Sequence, residues 1–135
     1  MKTPHQEIRV PIKSDADIVL ARQKGRALAT ELGFAQSDRV LIVAAISELA
    51  RNVIEYAQKG EMIMHSVHNA NKKGIEIITR DGGPGIPDIA QALQDGYPSR
   101  KYLGLGLPGT KRIMDEFNIE SKVGDGTTVT MKKWA

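Results

Sequence analysis

Cysteine is absent from the 135 residues, which excludes disulfides, cysteine-ligated zinc and thiol nucleophiles and suits a reducing compartment. Aromatic residues make up only 4% of the chain, so aliphatic side chains must fill the core and few rings are available to stack on bases. No stretch approaches the ~20 apolar residues of a membrane span, and the start, Met1-Lys-Thr-Pro-His-Gln-Glu7, lacks the apolar run of a signal peptide. A cytoplasmic protein is expected. No segment is dominated by Pro, Ser or charge of one sign, and no internal repeat is visible, so neither a disordered linker nor a solenoid is indicated. What remains is 41% hydrophobic and 26% charged, the balance of one globular domain over residues 1–135, with residues 1–6 expected to be flexible. The net charge of +3 permits nucleic-acid binding, but the cations are scattered and neither nucleic acid nor membrane is an expected partner.

Periodicity places the elements. Glu7 to Ile12 alternates polar and apolar residues like a half-buried strand, with Pro11 suited to a sheet edge. From Ser14 to Leu32, Ile18, Ala21, Gly25, Leu28 and Ala29 recur at helical spacing before Gly33. A second helix is expected after a Ser37 cap, running to about Gln58, with Gly60 as its stop. Glu61 to Val67 and Gly74 to Arg80 read as a hairpin across Asn69-Ala-Asn-Lys-Lys-Gly74. Pro87 to Leu93 suits a short helix, and Asp95 to Tyr102 has the Gly, Pro and charge content of a lid loop. A helix from Leu107 to Phe117 and two strands, Asn118 to Lys122 and Thr127 to Lys133, complete the chain. Strands flanking inserted helices imply an α/β fold, a two-layer sandwich whose mixed, mainly antiparallel sheet is covered by helices on one face.

Four short patterns carry chemistry: Glu48-Leu-Ala-Arg-Asn52, Asp81-Gly-Gly-Pro-Gly85, Gly104-Leu-Gly-Leu-Pro-Gly109 and Gly126-Thr127. Glu48 and Asn52, four apart, share one helix face; common as such pairs are on solvated surfaces, an amide oxygen suits magnesium and a carboxylate can take a proton from a hydroxyl. An ionised Asp81 is acceptor-only, so it can receive the amino group of adenine, where guanine would present the wrong group. Gly83 and Gly85 would let a flat base approach the backbone.

Gly104, Gly106 and Gly109 satisfy G-x-G-x-x-G, but the segment before them is turn-like rather than a strand, and Thr110-Lys111 reverse the order a Walker A loop requires. The shared physics survives: glycines that free backbone amides, followed by a helix start that attracts phosphate. Arg100 and Lys101 in the lid candidate are placed to reach terminal phosphates, and Lys111 to assist, although loop and helix-surface cations are commonly just solvated. His65 and His68, three apart on a strand, point to opposite faces and make no metal pair.

In this order the patterns resemble the Bergerat-type ATP-binding fold of gyrase, heat-shock chaperone, histidine-kinase and mismatch-repair ATPase domains, with spacing that covers nearly the whole chain. The resemblance makes Glu48 and Asn52 its N-box, Asp81, Gly83 and Gly85 its adenine-binding box, Gly104, Gly106 and Gly109 its phosphate-binding box, and Gly126-Thr127 its closing element. The strings Ile46-Ser-Glu-Leu-Ala-Arg-Asn52, Gly83-Pro-Gly-Ile-Pro-Asp88 and Lys111-Arg-Ile-Met-Asp-Glu-Phe117 are similar to those of the bacterial anti-sigma-factor serine kinases, among them the stressosome switch kinases. That resemblance implies transfer of phosphate from ATP with Mg2+ to serine or threonine of STAS-domain scaffold and antagonist proteins. It also implies activation of a PP2C-type serine phosphatase by the released kinase. Glu48 would be catalytic; Asn52, Asp81, the five glycines, Thr127, Arg100 and Lys101 would bind ATP, Asn52 through the metal. The lid string Tyr97-Pro-Ser-Arg-Lys-Tyr-Leu103 departs from the more Ser- and Gly-rich run of such kinases. Two other roles fit the same patterns: a nucleotide-gated docking module, and an anti-sigma factor that grips a sigma factor directly.

Overall fold

The computed structural model describes residues 7–85 and 106–135. Residues 1–6, the short helix at Pro87 to Leu93 and the lid with Arg100, Lys101 and Gly104 lie outside the described residues. The chain runs β1 (Ile8–Ile12), α1 (Asp15–Glu31), α2 (Gln36–Ala57), β2 (Gly60–Asn69), β3 (Lys72–Asp81), then α3 (Gly106–Ile113), β4 (Glu116–Lys122) and β5 (Gly126–Trp134). The strands form one five-stranded sheet in the order β1-β2-β3-β5-β4. Every pairing among the described strands is antiparallel, so the mixed character expected from the sequence does not appear there. Pro11 lies on edge strand β1, where a missing N–H costs no internal ladder bond.

Alternation divides the sheet into two faces. Val10, Ile12, Met62, Met64, Ile75, Ile77, Val129 and Met131 are buried together with Ile18, Ala21 and Ala29 of α1 and Ile42, Ile46, Leu49 and Val53 of α2. Each such side chain, fully buried, contributes about 1.5–3 kcal/mol of apolar transfer if it is large. Gly25 makes the close packing of α1 on α2 possible, because a Cβ there would collide with the Ile46 side chain. The opposite face carries the paired Ile63 and Ile78, with Ile63 buried, and next to them a polar group: His65 Nε2 lies 2.7 Å from Glu76 Oε1, Lys132 Nζ lies 3.5 Å from Glu116, and Trp134 Nε1 donates to Glu116 at 3.2 Å. His65 thus pairs with a carboxylate of the neighbouring strand.

The boundaries moved for local reasons. Ala35, not Ser37, holds the N-cap of α2. At α1, Ser14 occupies the N-cap, but Asp17 Oδ2 supplies the acceptor there, taking the Lys13 N–H at 3.0 Å and the Ser14 hydroxyl at 3.3 Å. Helix α3 stops at Ile113 rather than Phe117, because the Asp115 N–H bonds the Lys132 carbonyl at 2.9 Å and starts β4 early. Lys133 Nζ donates to the Ile113 carbonyl at 2.8 Å, capping the negative end of α3.

Candidate functional site

The far end of the helix-covered face carries a single cross-strand row. Register sets Ile12 opposite Gly60, Gly60 opposite Asp81, Asp81 opposite Thr127, and Thr127 opposite Ser121. Opposed residues of antiparallel strands project to the same side, so Asp81, Thr127 and Ser121 form a polar edge at the end of a layer that is apolar apart from Thr79. The Asp81 carboxylate accepts from the Gly83 N–H at 2.9 Å and from the backbone N–H of Thr127. Burial pushes its carboxyl above the ordinary value of 3.8, against the downward pull of those two donors.

Helix α2 stands over this row. A Cβ at Gly60 would meet the Val53 side chain at 2.8 Å and Asp81 Cβ at 3.1 Å, and one at Gly83 would meet Ala57 Cβ at 2.6 Å. Both glycines are therefore required for α2 to close on the Asp81 turn. Gly85, at φ +83°, lies against the Lys122 carbonyl, and the Gly124 N–H bonds the Pro84 carbonyl at 2.9 Å. Gly126, at φ +92°, leaves no room for a side chain over the Asp81 carbonyl. On the side where a Cβ would stand, Gly83 and Gly85 are thus packed against the protein itself.

Glu48 and Asn52 lie on the same helix, about two and a half and one and a half turns before Ala57. Glu48 is buried at 2% exposure and Asn52 is half-buried; both make polar contacts. With a rise of about 1.5 Å per residue, Glu48 sits roughly 13 Å along the axis from Ala57, so the carboxylate and the Asp81 turn occupy opposite ends of one helical segment. Helix α3 packs on α2 and buries Leu107, Pro108, Gly109 and Thr110. Gly106 opens it at φ +66°, and the fully buried Thr110 hydroxyl donates to the Gly106 carbonyl at 3.0 Å. Pro108 in the first turn forgoes an N–H that would lack an internal partner.

The structure therefore joins Asp81, Gly83, Gly85, Gly126 and Thr127 into one turn cluster, and sets Glu48, Asn52, Gly106 and Gly109 on two packed helices. Sequence reasoning missed Ser121, Gly60 and Ala57. Ser121 gave only strand alternation as a signal, and Gly60 was legible as a helix stop but not as the floor under Asp81.

Hard oxygen donors at Glu48 and Asn52 suit a small hard cation that takes few protein ligands and completes its shell with phosphate and water. Among the described residues no trio of His, Cys, Asp or Glu forms a metal cage, and no helix is long and apolar enough to cross a membrane.

Comparison with known proteins agrees with this architecture. Residues 13–133 match the histidine kinase-like ATPase domain. The chain is 50% identical over 125 residues to the serine/threonine-protein kinase RsbT of Bacillus subtilis (strain 168), covering 93% of this chain and 94% of that one. It is 32% identical over 118 residues to the anti-sigma F factor of Clostridium novyi (strain NT), covering 84% and 82%. A crystal structure of the RsbU and RsbW domains of a Mycobacterium tuberculosis protein superposes with a TM-score of 0.66 at 20% identity. That match spans 98% of this chain but only 33% of the other, and it speaks for the fold alone. The chain belongs to the histidine kinase-like ATPase domain family, and within it to the anti-sigma-factor serine/threonine-protein kinases.

Proposed function

We propose that this kinase acts in trans on STAS-domain scaffold and antagonist proteins in the cytoplasm, using Mg-ATP, and that its release from them frees it to bind a signalling partner such as a PP2C-type serine phosphatase. The observation that carries the reading is the Glu48–Asn52 pair: a carboxylate at 2% exposure and a half-buried amide on one face of α2, beside α3.

In this reading Asp81 accepts the adenine amino group, and Thr127 lies next to it. The start of α3, with Gly106 and Gly109, binds phosphate through backbone N–H groups and the positive helix end. Gly104, Arg100 and Lys101 are assigned to the same end by the sequence pattern. Asn52 would hold magnesium, which would neutralise charge on the phosphates. Glu48 takes the proton of the incoming serine or threonine hydroxyl as its oxygen bonds the γ-phosphorus; the bond to the β,γ-bridging oxygen breaks and ADP leaves with that electron pair. Catalysis is then mostly positioning and charge stabilisation. The test is label transfer from γ-labelled ATP to a STAS-domain protein encoded beside the kinase. Transfer that vanishes with Asn52→Ala is expected, and transfer unaffected by that change overturns the assignment.

A groove of about 460 Å³ on the outer side of α1 and α2 favours a docking role as well. Among the described residues it is lined by Arg22, Arg26 and Arg39 with Val40 and Val43 and no carboxylate, and Val40 is 62% exposed. Such a surface suits an acidic, partly apolar segment of a partner. Arg22→Glu with Arg26→Glu is expected to abolish STAS-protein capture while ATP binding persists. Capture unchanged removes the groove from consideration, and capture of a sigma factor in its place identifies a direct anti-sigma role.

A further inference from the structure

The row at the end of the sheet contains one polar contact that the nucleotide reading leaves unused. Ser121 Oγ on β4 lies 2.8 Å from Thr127 Oγ1 on β5, and the same Ser121 hydroxyl is 3.2 Å from the Gly126 carbonyl, to which it can donate. Thr127 is in turn the register partner of Asp81 and gives that carboxylate its backbone N–H. Three strands thus present a serine hydroxyl, a threonine hydroxyl and a carboxylate side by side on the face that α2 overlooks.

Across these two contacts the pair of hydroxyls has two proton arrangements. Each hydroxyl has one proton to give and lone pairs to accept with. If Ser121 gives its proton to Gly126, the short contact requires Thr127 to donate to Ser121, and Thr127 then offers a ligand only lone pairs. If Ser121 turns its proton to Thr127, the Thr127 proton is left for another acceptor. The change is a rotation of two O–H bonds and moves no heavy atom. It gives up the 3.2 Å contact, keeps the 2.8 Å one with its direction reversed, and frees the Thr127 proton for a ligand.

The base selects between these states. On adenine, the amino group that an ionised Asp81 can accept is flanked by ring nitrogens without protons, which need a donor. Thr127, next to Asp81 in the row, is the side chain placed to give it. We propose that Ser121 is a positioning residue for base recognition, which sets the Thr127 hydroxyl as a hydrogen-bond donor to the adenine ring nitrogen beside the amino group. The inference rests on the reading of Asp81 as the adenine acceptor and deepens it. Recognition becomes a chain, Ser121 O–H to Thr127 O–H to ring nitrogen, whose members polarise one another, running beside the carboxylate–amino pair. A base with a protonated ring nitrogen at that position meets a donor facing a donor.

Cross-strand Ser–Thr pairs also stabilise sheets, so the deciding experiment reads the ligand atom rather than the fold. Affinities of the full chain for ATP, 1-deaza-ATP and 7-deaza-ATP, each lacking one ring nitrogen, are measured with magnesium for wild type, Ser121→Ala and Ser121→Thr. Ser121→Ala is expected to weaken ATP binding about fivefold, the worth of one net hydrogen bond, and to leave one of the two deaza analogues bound as the wild type binds it. Ser121→Thr, which keeps the hydroxyl, is expected to restore ATP affinity. Equal weakening of ATP and both analogues assigns Ser121 a structural role only and overturns the proposal, as does no weakening at all. Asp81→Asn, compared on ATP and on the triphosphate of purine riboside, which has no amino group, separates the two levels. If that variant loses no preference for the amino group, the adenine reading fails and the Ser121 proposal with it. If it does lose the preference while Ser121→Ala shows no coupling to either nitrogen, the Ser121 proposal alone falls.

Discussion

The two ends of the candidate nucleotide site are built from different materials. At the Asp81 end the shape comes from backbone: strand register, the positive φ of Gly85 and Gly126, and contacts so close that a single Cβ at Gly83 or Gly126 would collide with Ala57 or with the Asp81 carbonyl. At the Glu48 end two side chains project from the middle of a 22-residue helix. A backbone-built site tolerates no added atom, whereas a site built from side chains tolerates truncation and loses only its chemistry. Mutations should therefore separate activity from stability at one end and couple them at the other.

The largest effect is expected at the helix end. Glu48→Gln keeps the volume of the buried side chain and removes its basicity. Phosphoryl transfer to the STAS substrate is expected to fall by about 10²–10⁴, the range of a general base, with ATP affinity and melting temperature near wild type. If the variant transfers phosphate normally, the carboxylate is not the base. If it loses ATP binding as well, the two ends are not separable.

The turn end is expected to respond in the opposite way, with stability and nucleotide affinity lost together. Gly126→Ala forces a side chain into φ +92° and against the Asp81 carbonyl, and left-handed strain with overpacking costs about 1–3 kcal/mol each. Gly83→Ala drives a methyl group onto Ala57 and is expected to cost about the same as one of these. Chemical denaturation of the free protein measures both. A Gly126→Ala protein as stable as wild type would show that the turn relaxes freely, and the contrast between the two ends would lose its basis.

Much of the frame was legible in the sequence because it is local. The alternation of Met62 and Met64 and the helical recurrence of Ile42, Ile46, Leu49 and Val53 are properties of short windows, and the Glu48–Asn52 spacing fixes a shared helix face wherever the helix goes. Strand order is not local. Nothing in residues 126–134 says that β5 inserts between β3 and β4, yet that insertion alone sets Thr127 opposite Asp81 and Ser121 opposite Thr127. The same gap explains the glycines. Gly60, Gly83 and Gly126 read as turn residues, and their need for close approach becomes visible only when α2 and the β4–β5 turn arrive beside them. The end of α3 was misjudged for a related reason, since the Asp115–Lys132 backbone bond that ends it joins residues far apart in the chain.

The smallest effect refines the turn end, where one side chain does matter. Burial raises the Asp81 carboxyl above 3.8, so between that value and the raised one the native protein holds a proton that the unfolded chain has released. Stability of the free protein must then fall as pH rises through this window, and the deficit persists above it. Asp81→Asn has no charge to bury and its side-chain oxygen still accepts a backbone N–H, so at neutral pH it is expected to melt slightly higher than wild type, with the difference vanishing below about pH 3.8. ATP affinity moves the other way: it is expected to be much reduced in Asp81→Asn at neutral pH. In the wild type it is expected to fall on acidification at a higher pH than an ordinary aspartate would give, because protonation removes the acceptor for the base. Melting curves of both proteins across this range, without and with nucleotide, test the two signs together. An Asp81→Asn protein less stable than wild type at neutral pH would mean that the hydrogen bonds from Gly83 and Thr127 outweigh the burial of the charge, and the turn would then depend on its carboxylate as much as on its backbone.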